Sequence, residues 1–371
     1  MTAPAPRPGI LDIAPYVGGE SKAHGHAEPV RLASNEGALG PSPLAIAAYE
    51  RNAASLHRYP DGSVGELRAA IGRRYGLDPA RIVCGAGSDE LIALLTRAYA
   101  GPGDEVLYSQ YGFLMYAIAA KTAGATPVTA PEAGLRADVD AILGRVTDRT
   151  RIVFLANPNN PTGSYLPHAE MRRLHAGLPG HVVLAVDAAY AEYVVRNDYE
   201  PGIALVDGAQ NVVMLRTFSK IHALAALRLG WAYCSPGIAD VLNRVRGPFN
   251  VNAPSQAAGV AAVEDSAHMA RARAQVEHCR PWFREGLLSL GLDVPDSVAN
   301  FLLVRFPRQA GKDADAAHAY LTDRGILVRK MVAYGLPDAL RISIGLDHEM
   351  RLVLDAVAAF MGKSPPARAP G

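Results

Sequence analysis

Lys220 closes the run Arg216-Thr217-Phe218-Ser219-Lys220, and Arg228 follows in the same stretch. Two hydroxyls and a guanidinium so close together can hold a phosphate by hydrogen bonds and a bidentate ion pair. A lysine beside them, once partly desolvated, can lose its proton and attack a carbonyl. Taken alone, Lys220 reads rather as a solvated lysine in a strand-to-helix loop. The elements around it decide between these readings.

Asn211-Val212-Val213-Met214-Leu215 is an apolar, β-branched run that reads as a buried parallel strand. Thr217, Ser219 and Lys220 then lie at its carboxyl end, the edge where open α/β sheets bind ligands. Further strands are expected at 81–84, 104–108, 125–129, 151–155, 182–186, 212–216 and 229–234, alternating with helices, so parallel crossovers are the natural topology. Strand 182–186 brings Asp187 to the same edge, with Tyr190 three residues on. A carboxylate there can pair with a protonated pyridine nitrogen, and a phenol can reach the ring's 3′ oxygen. Strand 151–155 brings the tight loop Asn157-Pro158-Asn159-Asn160-Pro161-Thr162-Gly163, where Asn160 is a second candidate for that oxygen. Tyr111, beyond strand 104–108, offers a ring to stack on a flat ligand. Gly85-Ala86-Gly87-Ser88 opens a helix whose first turn carries Asp89 and Glu90, and its free N–H groups favour an anion. Singly, Asp187 reads also as a helix cap, Asn160 as a turn residue, and either tyrosine as packing. Together they point to a ligand with a phosphate, an aldehyde and a pyridine nitrogen, which is pyridoxal phosphate.

The 371 residues exceed one ordinary core and imply about two domains. The pattern divides into an N-terminal arm (1–30), a segment at 31–55 belonging to the small domain and an interface, a large domain (56–250), a small domain (251–362) and a flexible tail (363–371). The small domain reads as α+β, with strands at 301–306, 326–329 and 340–344 and helices at 313–324 and 347–361. Proline-rich ends should carry no chemistry. A net charge of +1 gives no global attraction to nucleic acid or an anionic membrane. Cys84, Cys234 and Cys279 are far apart, which suits a reducing cytoplasm, and no apolar run is long enough for a membrane span. No metal-ligand cluster stands out. Glu90 replaces the third glycine of a dinucleotide fingerprint.

Ser34-Asn35-Glu36, Arg58-Tyr59-Pro60-Asp61-Gly62, the Gly85 to Glu90 turn, the Asn157 to Gly163 loop, Asp187-Ala188-Ala189-Tyr190, Arg216 to Arg228, Pro248 to Asn252 and Leu340-Arg341-Ile342-Ser343-Ile344-Gly345 occur in that order. On these the chain resembles the fold type I pyridoxal-phosphate aminotransferases over about residues 30 to 345. The resemblance implies an α/β fold, with a mostly parallel seven-stranded sheet between helices and a smaller α+β domain. It implies Lys220 as the residue bonded to the cofactor and as proton shuttle, Asp187 as the pyridinium partner, Tyr190 and Asn160 on the 3′ oxygen, and Tyr111 stacking. Ala86, Gly87, Thr217, Ser219 and Arg228 would surround the cofactor phosphate, and Tyr59 would reach the phosphate of a neighbouring subunit in a homodimer. Arg341 would clamp the substrate carboxylate or its equivalent with Asn35 beside it, and Arg329 would meet a substrate phosphate. From the residues alone, Arg341 reads also as a solvent-facing charge and Arg329 as half of a surface basic pair with Lys330. His222 reads as a packed histidine. The activity implied is ping-pong transamination, with histidinol phosphate as donor and 2-oxoglutarate as acceptor. An aromatic amino acid as donor, or decarboxylation of a phosphorylated amino acid, are the alternatives. Ala188, Gly37-Ala38, His222 and Ala226 depart from the usual pattern and bear on the donor.

Overall fold

Strands Val183–Asp187 and Val212–Thr217 are buried along their whole length, as near-continuous apolar runs require of a sheet covered on both faces. They sit at the middle of a seven-stranded sheet in the computed structural model, which describes residues 4–365. The outermost parts of the proline-rich ends, residues 1–3 and 366–371, lie outside the described residues. The sheet order is Ile82–Gly85, Gly230–Cys234, Val212–Thr217, Val183–Asp187, Thr150–Ala156, Glu105–Ser109, Thr126–Ala130. Only Gly230–Cys234 runs against its neighbours. The remaining strands therefore deliver their carboxyl ends to one edge. Register aligns those ends closely, with Ala156 opposite Asp187 and Asp187 opposite Leu215.

Period-two alternation splits each central strand between two cores. Val153, Leu155, Val212 and Met214 face the cluster containing Leu67, Ile71 and Trp231. Phe154, Val213 and Leu215 face the cluster of Leu91, Leu95 and Tyr116. All three cysteines are buried and free. Among the described residues, no helix is long and apolar enough to cross a membrane.

A second, antiparallel sheet joins Phe301–Arg305, Ala339–Ser343 and Arg329–Lys330. Helices Ser266–Ser289 and Asp347–Met361 cover it, around Phe283, Phe301, Leu302 and Val353. The single strand expected at 326–329 is two short ones, because the chain changes partner there. Ile326–Leu327 pairs with Val30–Arg31, and Arg329–Lys330 turns to Ala339–Ser343. Pairing at Val30–Arg31 lays the following residues along the second sheet: Leu32 N–H and carbonyl bond Leu327 and Ser343, at 2.8 and 3.0 Å. The helical region after Pro254 is two helices, Ala253–Glu264 and Ser266–Ser289, divided at Asp265, whose carboxylate accepts the His268 N–H at 3.0 Å and caps the second.

Gly230 lies between the ends of two site-bearing strands, opposite both Gly85 and Thr217. A Cβ there would stand 2.5 Å from Ser88 N and 2.6 Å from the Gly87 carbonyl carbon, so only backbone could yield. Gly230→Ala should destabilise the protein by about 1–3 kcal/mol in urea unfolding. A variant as stable as the parent would show that the turn at Gly87 has slack.

Candidate active site

The strand Val212–Thr217 ends in a loop that delivers Lys220 to a cavity of about 250 Å³ between the two sheets. Lys220 Nζ donates to the Ser34 carbonyl at 3.0 Å and lies 5.8 Å from the Tyr190 ring centroid. The residue keeps some surface towards the cavity, yet its amine is withdrawn from bulk water. That desolvation, with the positive charge of Arg341 second, lowers its pKa to about 8. A lysine so placed holds an appreciable neutral fraction near pH 7, as a nucleophile or base needs.

Asp187 emerges from the neighbouring strand, 5% exposed. Its Oδ2 accepts the Tyr116 hydroxyl at 2.7 Å, while its Oδ1 is buried with no hydrogen-bond partner among the described residues. Burial raises its pKa to about 6, against the Tyr116 hydrogen bond, which lowers it. Tyr116 is held by stacking on Phe154, centroids 4.6 Å apart. Tyr190 accepts the Asn35 amide at 2.9 Å, and Asn35 is itself fixed on Ser343 Oγ, which accepts its N–H at 2.8 Å and donates to its Oδ1 at 3.1 Å. Arg341 is buried, donating to Asn160 Oδ1 and, at 2.8 Å, to the Ala33 carbonyl, while its Nε has no partner among the described residues. It is therefore not a solvent-facing charge.

At the other end of the cavity, Ser88 and Asp89 begin helix Ser88–Tyr99. Gly87 caps that helix with φ +86°, and a Cβ on it would lie 2.6 Å from Arg228 Nη2. Arg228 also donates to Ser219 Oγ at 3.4 Å and to Asp89 at 3.2 Å, and Thr217 Oγ1 accepts the Ser219 N–H at 3.1 Å. A helix N-terminus, two hydroxyls and a guanidinium thus converge as an anion site.

Four of the expected residues are not among those that line the cavity. Ala86 and Gly87 do not line the cavity. The Ala86 N–H is taken by Glu90 at 2.6 Å and the Gly87 N–H by the Gly85 carbonyl at 2.8 Å, which leaves the lining to Ser88 and Asp89. Tyr111 packs instead against the cluster of Leu303, Met331 and Tyr334, and Phe113 presents the aromatic ring to the cavity. Tyr59 is not brought to the cavity of its own chain; it is 83% exposed and stacked on Phe249 at 4.7 Å.

Asn35, Asn160, Asp187, Tyr190, Thr217, Ser219, Lys220, Arg228, Arg329 and Arg341 all line the one cavity. Arg329 stands directly opposite Arg341 across an antiparallel pair, donates to the Val17 carbonyl at 2.6 Å and lies 5.6 Å from the Tyr16 ring. His222 lies outside the lining, buried on Phe218 at 4.9 Å, and burial lowers its pKa to about 4. Sequence reasoning missed Tyr116, Phe113, Ser88 and the cavity-lining Tyr16. That Tyr16 is the one Phe, Tyr or Trp in the N-terminal arm was the available signal for it.

A fold of this topology, with a lysine, a buried carboxylate and an anion site at one strand edge, is that of the fold type I pyridoxal-phosphate enzymes. The chain belongs to the class I and II aminotransferases, whose family profile matches residues 27–357. It is 60% identical to a histidinol-phosphate aminotransferase of Paramagnetospirillum magneticum, over 98% of this chain and all of that protein. It is 56% identical to one of Rhodospirillum rubrum, over 96% of this chain and 97% of the relative. The crystal structure of histidinol-phosphate aminotransferase from Sinorhizobium meliloti, in complex with pyridoxal-5'-phosphate, superposes with a TM-score of 0.87 at 30% identity, covering 97% of this chain and 99% of that one.

The Asp187 environment has a measurable signature. Its folded pKa lies above the ordinary 3.8, so between about pH 4 and 6 the folded chain holds a proton that the unfolded chain has lost. Stability from this group therefore falls as pH rises through that window. Relative to Asp187→Asn, the cofactor-free wild type should lose on the order of 3 kcal/mol between pH 4 and 7 in denaturant titrations. A constant difference would mean that Asp187 ionises in its usual range.

Proposed function

We propose that the protein transfers the amino group of histidinol phosphate to 2-oxoglutarate with pyridoxal 5'-phosphate, as a homodimeric cytoplasmic enzyme of histidine biosynthesis. The observation that carries the reading is the buried, unpartnered Asp187 Oδ1 in the same cavity as a lysine of lowered pKa and the Arg228 anion site. A carboxylate oxygen buried without a donor is costly unless a cationic N–H meets it, as a pyridinium would. The residues present thus fit the cofactor from end to end. The backbone N–H groups of Ser88 and Asp89, with Thr217, Ser219 and Arg228, would hold its phosphate, Asp187 its ring nitrogen, Tyr190 and Asn160 its 3′ oxygen, and Phe113 a ring face. When bound, the cofactor supplies the electron sink for the bond broken at the amino-bearing carbon.

Lys220 Nζ would bond the cofactor aldehyde at rest. Once displaced by the donor, it takes the proton from the donor's amino-bearing carbon and redelivers it, tasks suited to an amine with a pKa near 8. Asp187, kept anionic by the charge it faces, holds that charge in place. Arg329 and Arg341 support a phosphorylated donor: like charges directly opposite on one sheet face repel, and a bound dianion reverses the sign of that interaction. The same pair suits the carboxylates of 2-oxoglutarate in the second half-reaction. Tyr16, Gly18 and Gly19 of the N-terminal arm cover the cavity and help to exclude water. The dimer is supported by the exposed Tyr59–Phe249 pair, from which Tyr59 would reach the partner's cofactor phosphate.

Lys220→Ala should lower turnover roughly a thousandfold or more in a coupled assay with histidinol phosphate and 2-oxoglutarate. Retained turnover would overturn the mechanism. Arg329→Ala should raise the KM for histidinol phosphate about tenfold to a hundredfold and leave that for phenylalanine nearly unchanged. Equal losses would instead indicate an aromatic donor.

A further inference from the structure

Gly37 lies against the backbone of the reactive lysine. A Cβ on Gly37 would stand 2.9 Å from the Lys220 carbonyl oxygen and 2.8 Å from Ala223 Cβ. Its φ is not in the left-handed region, so space alone, and no backbone requirement, calls for glycine there. Ala223 is the converse case. Its φ is +53°, a conformation that favours glycine, and yet it carries the methyl that fills the space left by Gly37. The Ala223 N–H closes the turn on the Lys220 carbonyl at 3.0 Å.

The other end of Lys220 is held by the same segment, through the Nζ hydrogen bond to the Ser34 carbonyl. That segment is tied to the second sheet. Asn35 N–H donates to Ser343 Oγ at 2.8 Å, and Asn300 donates to the Asn35 and Glu36 carbonyls at 3.2 and 3.3 Å. Neither Gly37 nor Ala223 lines the cavity, and both border a separate crevice behind the lysine loop. Their direct contact is with the Lys220 turn, and Asn35 and Ser219 are the neighbours that also reach the cavity.

We propose that the segment Ser34–Gly37 is a strap that sets where Lys220 presents its amine, and that the contact between Gly37 and the Ala223 methyl is its positioning device. This rests on the reading of Lys220 given above. The packing is complementary: a side chain at 37 needs the methyl at 223 removed. A glycine at 223 would also relieve the left-handed turn and let the loop give way. Exchanging the two residues therefore removes the methyl contact and leaves the 2.9 Å approach to the Lys220 carbonyl for the freed turn to absorb.

The test compares Gly37→Ala, Ala223→Gly and the double variant. In the holoenzyme, kcat and KM are measured. In the cofactor-free protein, the pH midpoint of Lys220 acetylation by acetic anhydride is followed by mass spectrometry. Gly37→Ala should lower kcat on the order of tenfold to a hundredfold with the donor KM little changed, and should shift the acetylation midpoint. Adding Ala223→Gly should recover most of both. A Gly37→Ala protein with parental kcat and midpoint, or a double variant no better than the single, overturns the proposal. If Gly37→Ala does not fold, the double variant should still fold and turn over like Ala223→Gly, and an unfolded double overturns the proposal as well. Turnover by Lys220→Ala would defeat the reading of the lysine, whereas the acetylation midpoints report the strap independently of it.

Discussion

An amine and a carboxyl that are both withdrawn from water into one cavity set the terms for the rest of the molecule. Burial pushes Lys220 down to about 8 and Asp187 up to about 6, each towards its neutral form. Such shifts persist only where the surroundings are too rigid to relax or admit water. The sheet supplies that rigidity: adjacent parallel strands, buried on both faces, end at Asp187, in register with Leu215, and just beyond it at Thr217. Tyr116 then holds one carboxylate oxygen and leaves the other without a donor. The polar deficit is thereby aimed at whatever cation enters the cavity.

The second sheet completes the site by charge as well as by shape. Arg341 is buried and bonded to Asn160 and Ala33, so the substrate side of the cavity is joined through side chains to loops from both sheets. Behind the cavity, Arg216 and Glu192 form a pair that is almost fully buried, the guanidinium 5.0 Å from the Tyr75 ring. Glu192 follows Tyr190 closely and Arg216 immediately precedes Thr217, so this pair ties the two strand ends that carry Asp187 and Lys220. Breaking one partner of such a pair leaves an uncompensated buried charge, which makes its geometry stiff.

The elements that were legible in the sequence share a cause. Buried parallel strands are near-continuous apolar runs, and the first polar residues after them must lie at the carboxyl edge, which located Asp187, Asn160, Thr217 and Lys220. What was not legible depends on local hydrogen bonding or on distant packing. The doublet Gly85-Ala86-Gly87 announces a turn but not which of its N–H groups are already bonded, so the anion-facing positions fall at Ser88 and Asp89. Tyr111 and Phe113 are two residues apart in a loop, and only the route of that loop decides which ring faces inward. Tyr116 sits in a helix among core residues, where its hydroxyl gives no sign that its acceptor is Asp187. Tyr16 and Gly19 reach the cavity because Gly19 packs tightly on Ala33 and Ser34, a contact that no periodic pattern in the arm announces.

The central claim is that one particular amine is bonded to the cofactor. Sodium borohydride reduction of the holoenzyme, followed by digestion and peptide mass mapping, examines it most directly. The account predicts the pyridoxyl mass on the peptide carrying Lys220 and on no other lysine. A mark elsewhere, or no mark on a protein that contains the cofactor, would contradict it.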